Sequence, residues 1–116
     1  MFKTRHKWYR IGSSEEELRG SISENGMKVM QVGRYSVLFI LHDNELFAIK
    51  DRCPHQGAKL SGGACTRDGY IVCPWHKFGF DLRTGRGAGL YVDKYLLQQR
   101  EEGFCLGVEY FSWFGE

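Results

Sequence analysis

The chain has 116 residues, of which 42% are hydrophobic, so it can bury one core but is too short for a second domain of ordinary size. Its 16 basic and 14 acidic residues nearly balance, and a net charge of +2 favours neither nucleic-acid binding nor binding to a membrane. No stretch approaches the roughly 20 apolar residues of a membrane span, and the basic segment 1–8 lacks the apolar run of a secretory signal, so we expect a single domain over 1–116, in the cytoplasm.

Short segments rich in β-branched and aromatic residues recur along the chain and predict an all-β, mostly antiparallel fold. Hairpin turns between these strands are predicted at residue pairs that tolerate left-handed backbone. The pairs are Asp43-Asn44, Asp68-Gly69 and Glu102-Gly103. The predicted strands lie at 8–11, 28–32, 35–41, 46–50, 70–73, 78–82, 95–99 and 104–110.

One helical turn is predicted near 14–18. Ser14 and Glu17 have the spacing of a capping box, and the acidic residues between them suit the first turn of a helix. A solvated acidic loop is the alternative.

The composition changes between residues 51 and 86, where the sequence becomes rich in glycine and contains both prolines of the chain. This change predicts a subdomain inserted into the β framework. Within it, Gly62-Gly63 and Asp68-Gly69 let the chain turn back on itself.

The inserted segment carries two cysteine–histidine motifs. Cys53 and His55 stand two positions apart, Cys73 and His76 stand three apart, and each cysteine is followed directly by a proline. Proline restricts the backbone, so each loop can hold one thiolate and one imidazole in place. Two such loops facing each other would accommodate a bimetallic cluster. Disulfides are the other common use of four cysteines, but the chain shows no secretory feature.

Both motifs, with Gly57 and the segment 78–85, resemble the Rieske iron–sulfur family at all four ligand positions. The resemblance implies an antiparallel β-sandwich or barrel with an inserted cluster-binding subdomain over about 51–86. It also implies one [2Fe–2S] cluster, with Cys53 and Cys73 on one iron and His55 and His76 on the other.

Departures from the high-potential members of that family predict a lower potential here. Those members carry an extra cysteine in each loop, where this chain has Ala58 and Trp75, so their disulfide cannot form. They also place a serine and a tyrosine after the second loop as hydrogen-bond donors, where this chain has Phe78 and Phe80. Donors stabilise the extra charge of the reduced state, so their absence lowers the potential.

The resemblance implies a ferredoxin, an electron carrier between a reductase and a terminal oxidoreductase such as a Rieske oxygenase. One alternative is an accessory subunit resembling the small subunit of assimilatory nitrite reductase. Another, from a different class, is a zinc-stabilised interaction module, because two cysteines and two histidines also bind zinc. No catalytic site is expected, since no set of two histidines and one carboxylate for a mononuclear iron site is available once His55 and His76 are assigned.

Two further groups of residues have open interpretations. Cys65 and Cys105 are expected to be buried packing residues, not ligands. Basic residues in and beside the inserted segment form either a solvated face or a rim that steers an acidic partner. They are Lys59, Arg67, Lys77, Arg83 and Arg86.

Overall fold

The computed structural model describes residues 2–23, 26–54, 57–75 and 77–113, and leaves out the side chains of Phe2, Lys3 and 111–113. Its strands are β1 (Phe2–Gly12), β2 (Met27–Val32), β3 (Tyr35–His42), β4 (Glu45–Lys50), β5 (Ala64–Cys65), β6 (Tyr70–Val72), β7 (Gly79–Asp81), β8 (Arg86–Gly87), β9 (Leu90–Tyr91), β10 (Leu96–Arg100) and β11 (Gly103–Trp113). The helices are α1 (Glu15–Gly20) and a 3₁₀ turn, η1 (Leu60–Gly62).

The described strands form four antiparallel sheets. Their orders are β1-β11-β10, β2-β3-β4, β5-β6-β7 and β8-β9. The all-β prediction is therefore confirmed, and all eight predicted strands are present. Six of them begin and end within two residues of the predicted bounds, whereas β1 and β11 are longer than predicted. Sequence reasoning missed β5, β8 and β9, each of two residues.

The predicted helix cap before α1 and the predicted turn after β3 are also confirmed. Ser14 Oγ accepts a hydrogen bond from the backbone N–H of Glu17 at 3.2 Å. The Glu17 carboxylate accepts from the N–H of Ser13 at 3.0 Å, one residue earlier than a standard capping box requires. Asp43 and Asn44, with φ of 51° and 64°, form the predicted left-handed turn from β3 to β4.

Sheet β2-β3-β4 is covered on both faces, which explains why 37–41 is an unbroken apolar run. Alternate residues of β3 point to opposite faces. Leu38 and Ile40 belong to a first core with β6, β7 and the inserted segment, whereas Val37, Phe39 and Leu41 belong to a second core with β11. The middle sheet thus separates the inserted segment from the sheet of β1, β10 and β11.

Three tyrosines pack in a row at one edge of the second core. The rings of Tyr9 and Tyr35 are edge to face with centroids 6.1 Å apart, and Tyr35 and Tyr95 repeat this at 6.2 Å. Burial raises the pKa of Tyr95 to about 12, with smaller contributions from Asp93 and Tyr35. Tyr95 therefore keeps its proton in the folded state to a higher pH than in the unfolded chain.

This difference predicts a loss of stability at alkaline pH. An unfolded tyrosine ionises near pH 10, so between about pH 10 and 12 the unfolded chain binds fewer protons than the folded chain at this position. The free energy of unfolding should fall as pH rises through that window. Urea titrations across the window should show a shallower fall for Tyr95→Phe than for the parent. The matched control Tyr91→Phe alters an exposed tyrosine and should keep the parent's slope. An unaltered slope in Tyr95→Phe would contradict the prediction.

No helix in the described part of the chain is long and apolar enough to cross a bilayer.

Candidate metal centre

Cys53 and Cys73 meet inside the first core. They are 1% and 0% exposed, and both belong to the same cluster of buried residues. Burial is the main cause of the raised pKa of Cys73. Hydrogen bonding from the backbone N–H of Trp75 opposes it, and the neighbouring Cys53 adds to it. The structure thus places together, and away from water, the two cysteines that the sequence singles out.

The two cysteines start loops that are closed in the same way. The backbone N–H of Cys53 donates to the carbonyl of Ala58 at 2.8 Å, and the N–H of Cys73 donates to the carbonyl of Phe78 at 2.8 Å. In both cases the acceptor is five residues after the cysteine. Each loop therefore starts at a cysteine and is closed by this backbone hydrogen bond, and in the first loop the N–H of Gly57 also donates to the carbonyl of Cys53 at 2.8 Å.

The same loops share a left-handed residue four positions after the cysteine. Gly57 has φ of 75° and Lys77 has φ of 58°. Glycine adopts this conformation freely, whereas a lysine is strained there. Gly57 is the position that the sequence motif already marks, but no sequence signal marks Lys77, whose conformation becomes visible only in the structure.

His55 and His76 lie outside the described residues, so their role as ligands stays a prediction. In sequence each falls within one of the closed loops, between a cysteine and the left-handed residue. The described half of the donor set fits an iron–sulfur cluster, because two thiols from two fixed loops reach one buried place. Metal binding requires thiolates, so Cys73 would have to release its proton in order to hold iron.

A buried carboxylate, which sequence reasoning missed, anchors the first loop. Asp51 is 5% exposed, and its Oδ1 and Oδ2 accept hydrogen bonds from the backbone N–H and the hydroxyl of Ser61, at 2.7 and 2.8 Å. The N–H of Asp51 donates to the carbonyl of Ser36 at 3.0 Å. Asp51 therefore ties η1 to β3 two residues before Cys53. An aspartate after a strand is too common a pattern to reveal this bond in the sequence.

Removing the Asp51 carboxylate should destabilise the protein. Asp51→Ala leaves the N–H of Ser61 without its acceptor, which costs about 1–3 kcal/mol of the free energy of unfolding. Asp51→Asn keeps one acceptor oxygen and should lose less. Urea unfolding of both variants, with Asp93→Ala as a control at an exposed aspartate, measures the difference. If Asp51→Ala is no less stable than the control, Asp51 is not an anchor.

The other residues named from the sequence have varied surroundings. Phe80 is fully buried opposite Ile71 in the first core, and Phe78 packs beside that core. Ala58 is buried, whereas the side chain of Trp75 is 57% exposed. Neither phenylalanine carries a donor, so the structure supplies no hydroxyl at these two places.

The expectation for the remaining cysteines is confirmed for one of them. Cys105 is fully buried, whereas Cys65 is only half-buried and packs against the first core. Burial raises the pKa of both thiols.

The basic residues of the inserted segment are spread over several places. The Arg83 guanidinium lies near Gly69, in the same turn as Arg67, and that turn is bonded to His42 at the end of β3. Lys59 instead lines a groove next to Arg52 and Gly57.

Comparison with known proteins gives one family match and several relatives. Residues 7–92 match the model of the family described as "Rieske [2Fe-2S] domain". The anthranilate 1,2-dioxygenase ferredoxin subunit of Burkholderia cepacia is 32% identical over 79 residues, which are 68% of each chain. The ferredoxin component of the alkene monooxygenase system of Xanthobacter autotrophicus is 36% identical over 61 residues, 53% of this chain. That match spans only half, 50%, of the Xanthobacter protein.

A solved structure shows the same fold. The ferredoxin of carbazole 1,9a-dioxygenase from Nocardioides aromaticivorans IC177 superimposes with a TM-score of 0.65 at 24% identity, over 76% of this chain and 88% of that one.

Proposed function

The chain belongs to the Rieske [2Fe–2S] domain family, and we propose from this that it carries one electron at a time between a reductase and a terminal oxidoreductase such as an oxygenase. The family's cofactor is one Rieske-type [2Fe–2S] cluster. The observation that carries the proposal is the meeting of Cys53 and Cys73 at one buried place, from loops closed by equivalent hydrogen bonds.

We assign the four ligands from the loops and the motif together. Cys53 and Cys73 would hold one iron and His55 and His76 the other. When bound, the cluster supplies a site that gains or loses a single electron, at a potential above that of an all-cysteine cluster. The chain excludes water from the cysteine side through the first core, and fixes both cysteines by their backbone N–H groups.

The surroundings of the site support a potential in the lower part of the Rieske range. Phe78 and Phe80 stand where hydroxyl donors would stabilise added negative charge, and Phe80 is wholly enclosed by apolar side chains. Without those donors the reduced state is less favoured. The protein that donates electrons to this chain must therefore be a strong reductant.

The protein acts as a carrier without a catalytic site of its own. The relatives named above are ferredoxin components of dioxygenase and monooxygenase systems, which supports an oxygenase as the electron acceptor. The partners are then redox proteins, not nucleic acid or membrane. The free thiols of Cys65 and Cys105 support the reducing cytoplasm as its location. The separate sheet β5-β6-β7 supports a single domain with the cluster-binding subdomain at about 51–86.

Spectroscopy and metal analysis of the purified protein test the proposal. A Rieske cluster gives a red-brown protein with two irons and two sulfides per chain, and a paramagnetic signal after reduction with dithionite. Zinc would give a colourless protein without that signal, and would favour the interaction module instead. Loss of the signal on reoxidation, and its return on a second reduction, would establish reversible one-electron transfer.

A further inference from the structure

One groove beside the first loop collects four cations and two tyrosines. We call it the basic groove, and its volume is about 430 Å³. A second cavity of about 580 Å³ shares Lys50, Arg52 and Gly57 with it and extends to Cys53 and Pro54. The side chains that define the basic groove are Arg34, Tyr35, Lys50, Arg52, Lys59 and Tyr95.

The register of the middle sheet creates this concentration of charge. Arg34 lies in the turn from β2 to β3, and Lys50 ends β4 opposite Val37 of β3. The hydrogen bond from the N–H of Asp51 to the carbonyl of Ser36 keeps the chain after β4 beside the start of β3. Residues 18 positions apart in sequence, Arg34 and Arg52, therefore line one groove.

The groove is lined by four cations and one carboxylate, that of Asp51. Among the residues that the structure describes, no ion pair joins Arg34, Lys50 or Arg52 to a carboxylate, and the same holds for Lys59. Asp51, the acidic residue lining the groove, already accepts two hydrogen bonds from Ser61. Asp93 lines the adjoining cavity and offsets one charge there.

The tyrosines give the groove a firm wall. Tyr35 is held between Tyr9 and Tyr95 by edge-to-face contacts, and the Arg34 guanidinium lies 5.5 Å from the centre of the Tyr35 ring. Arginine and tyrosine are enriched in protein interfaces and dominate their binding energy, because they offer large contact areas that are already ordered.

We propose that the basic groove docks an acidic surface segment of the redox protein that exchanges electrons with this chain, with the segment's carboxylates pairing with Arg34, Lys50 and Arg52. The adjoining cavity, which shares Lys50 and Arg52 with the basic groove, reaches Cys53 and Pro54, so a partner that fills both lies beside the start of the first loop. Opposite charges also raise the rate of encounter. This inference rests on the proposed electron-carrier function.

Matched charge reversals test the docking surface in the cluster-loaded protein. Arg52→Glu alters the groove. Arg67→Glu is the control and makes the same change outside the groove. Arg67 lies in the turn bonded to His42, which ends β3 roughly 20 Å along the strand from Tyr35. Arg34→Glu changes the groove at a position remote in sequence from the ligands, in case Arg52→Glu loads poorly. A dye-labelled peptide of eight glutamates serves as the acidic probe, followed by fluorescence anisotropy at low salt.

The parent should bind the peptide, and added salt should weaken binding. Arg52→Glu and Arg34→Glu should weaken it by about tenfold or more, whereas Arg67→Glu should weaken it by less than about threefold. Equal weakening in all three variants would show an effect of net charge alone and overturn the proposal, as would a parent that does not bind. Tighter binding of a single-stranded oligonucleotide with the same dependence on Arg52 would also overturn it, in favour of nucleic acid.

A second measurement links the groove to electron transfer. Stopped-flow measurements give the rates at which anionic ferricyanide and cationic hexaammineruthenium(III) oxidise the reduced protein. The quantity compared between variants is the ferricyanide rate divided by the hexaammineruthenium rate. A change in potential moves both rates in one direction, whereas a local charge moves them in opposite directions. The ratio should fall more in Arg52→Glu than in Arg67→Glu, and an equal fall contradicts the proposal. Absence of a reducible cluster would refute the carrier function itself, which peptide binding does not test.

Discussion

Replacing either cysteine of the site, as Cys53→Ser or Cys73→Ser, should abolish the cluster. Each variant removes one of two thiols that meet in the first core, and the half-buried Cys65 belongs to neither closed loop. Iron and sulfide should fall to background, and the colour and the paramagnetic signal should disappear together. Because metal binding and folding are coupled in small metal sites, the melting temperature should fall as well.

A cysteine outside the site provides the control for that experiment. Cys65→Ser makes the same atomic change and should keep the full complement of iron and sulfide. Full loading of Cys53→Ser or Cys73→Ser would refute the ligand assignment. The same assay on His55→Ala and His76→Ala tests the two predicted ligands that lie outside the described residues.

Adding one methyl group at Gly63 should destabilise the protein severely. A Cβ built on Gly63 lies 1.8 Å from the carbonyl oxygen of Val72, which is backbone and cannot swing aside. Val72 pairs with Ala64 and directly precedes Cys73, so relief of the clash must shift β6 and the second loop. We expect Gly63→Ala to lose about 3 kcal/mol of the free energy of unfolding, at the upper end for overpacking, and to load less iron.

The neighbouring glycine is a close control. Among the described residues, a Cβ on Gly62 meets the Pro74 ring at 3.7 Å, an ordinary contact, so Gly62→Ala should stay within about 0.5 kcal/mol of the parent. Urea unfolding and iron content of the two variants, measured side by side, give the comparison. Similar stabilities for Gly62→Ala and Gly63→Ala would mean that the two backbones are not in close contact.

The features that the sequence could predict are those that depend on residues close together in the chain. Strands such as β3 and β11 carry long runs of β-branched and aromatic residues, and the Ser14 cap and the Asp43-Asn44 turn depend on a few adjacent residues. These were found. Two-residue strands such as β8 have no periodic pattern to detect. The sequence motif could also predict that Cys53 and Cys73 lie together, because the spacing of its cysteines and histidines is specific.

Features that depend on distant parts of the chain were not predictable. Nothing in the sequence distinguishes Gly62 from Gly63, since only the position of Val72 makes the second essential. The bond from Ser61 to Asp51 spans ten positions, and the basic groove requires the register of β3 on β4. The predicted basic rim included Lys59 but missed three cations that the fold places beside it in the groove. They are Arg34, Lys50 and Arg52.

The pairing of the first and last strands has a consequence for how fast this protein folds. Gly12 pairs with Phe104 and Phe2 with Trp113, so the partners of β1 and β11 are about 90 to 110 positions apart. In contrast, β3 reaches β4 through a turn of two residues. Closing a long loop costs more entropy than closing a hairpin, and contacts between distant residues slow folding. The middle sheet can therefore form early as a local hairpin unit, while the union of β1 with β11 sets the pace of the final step.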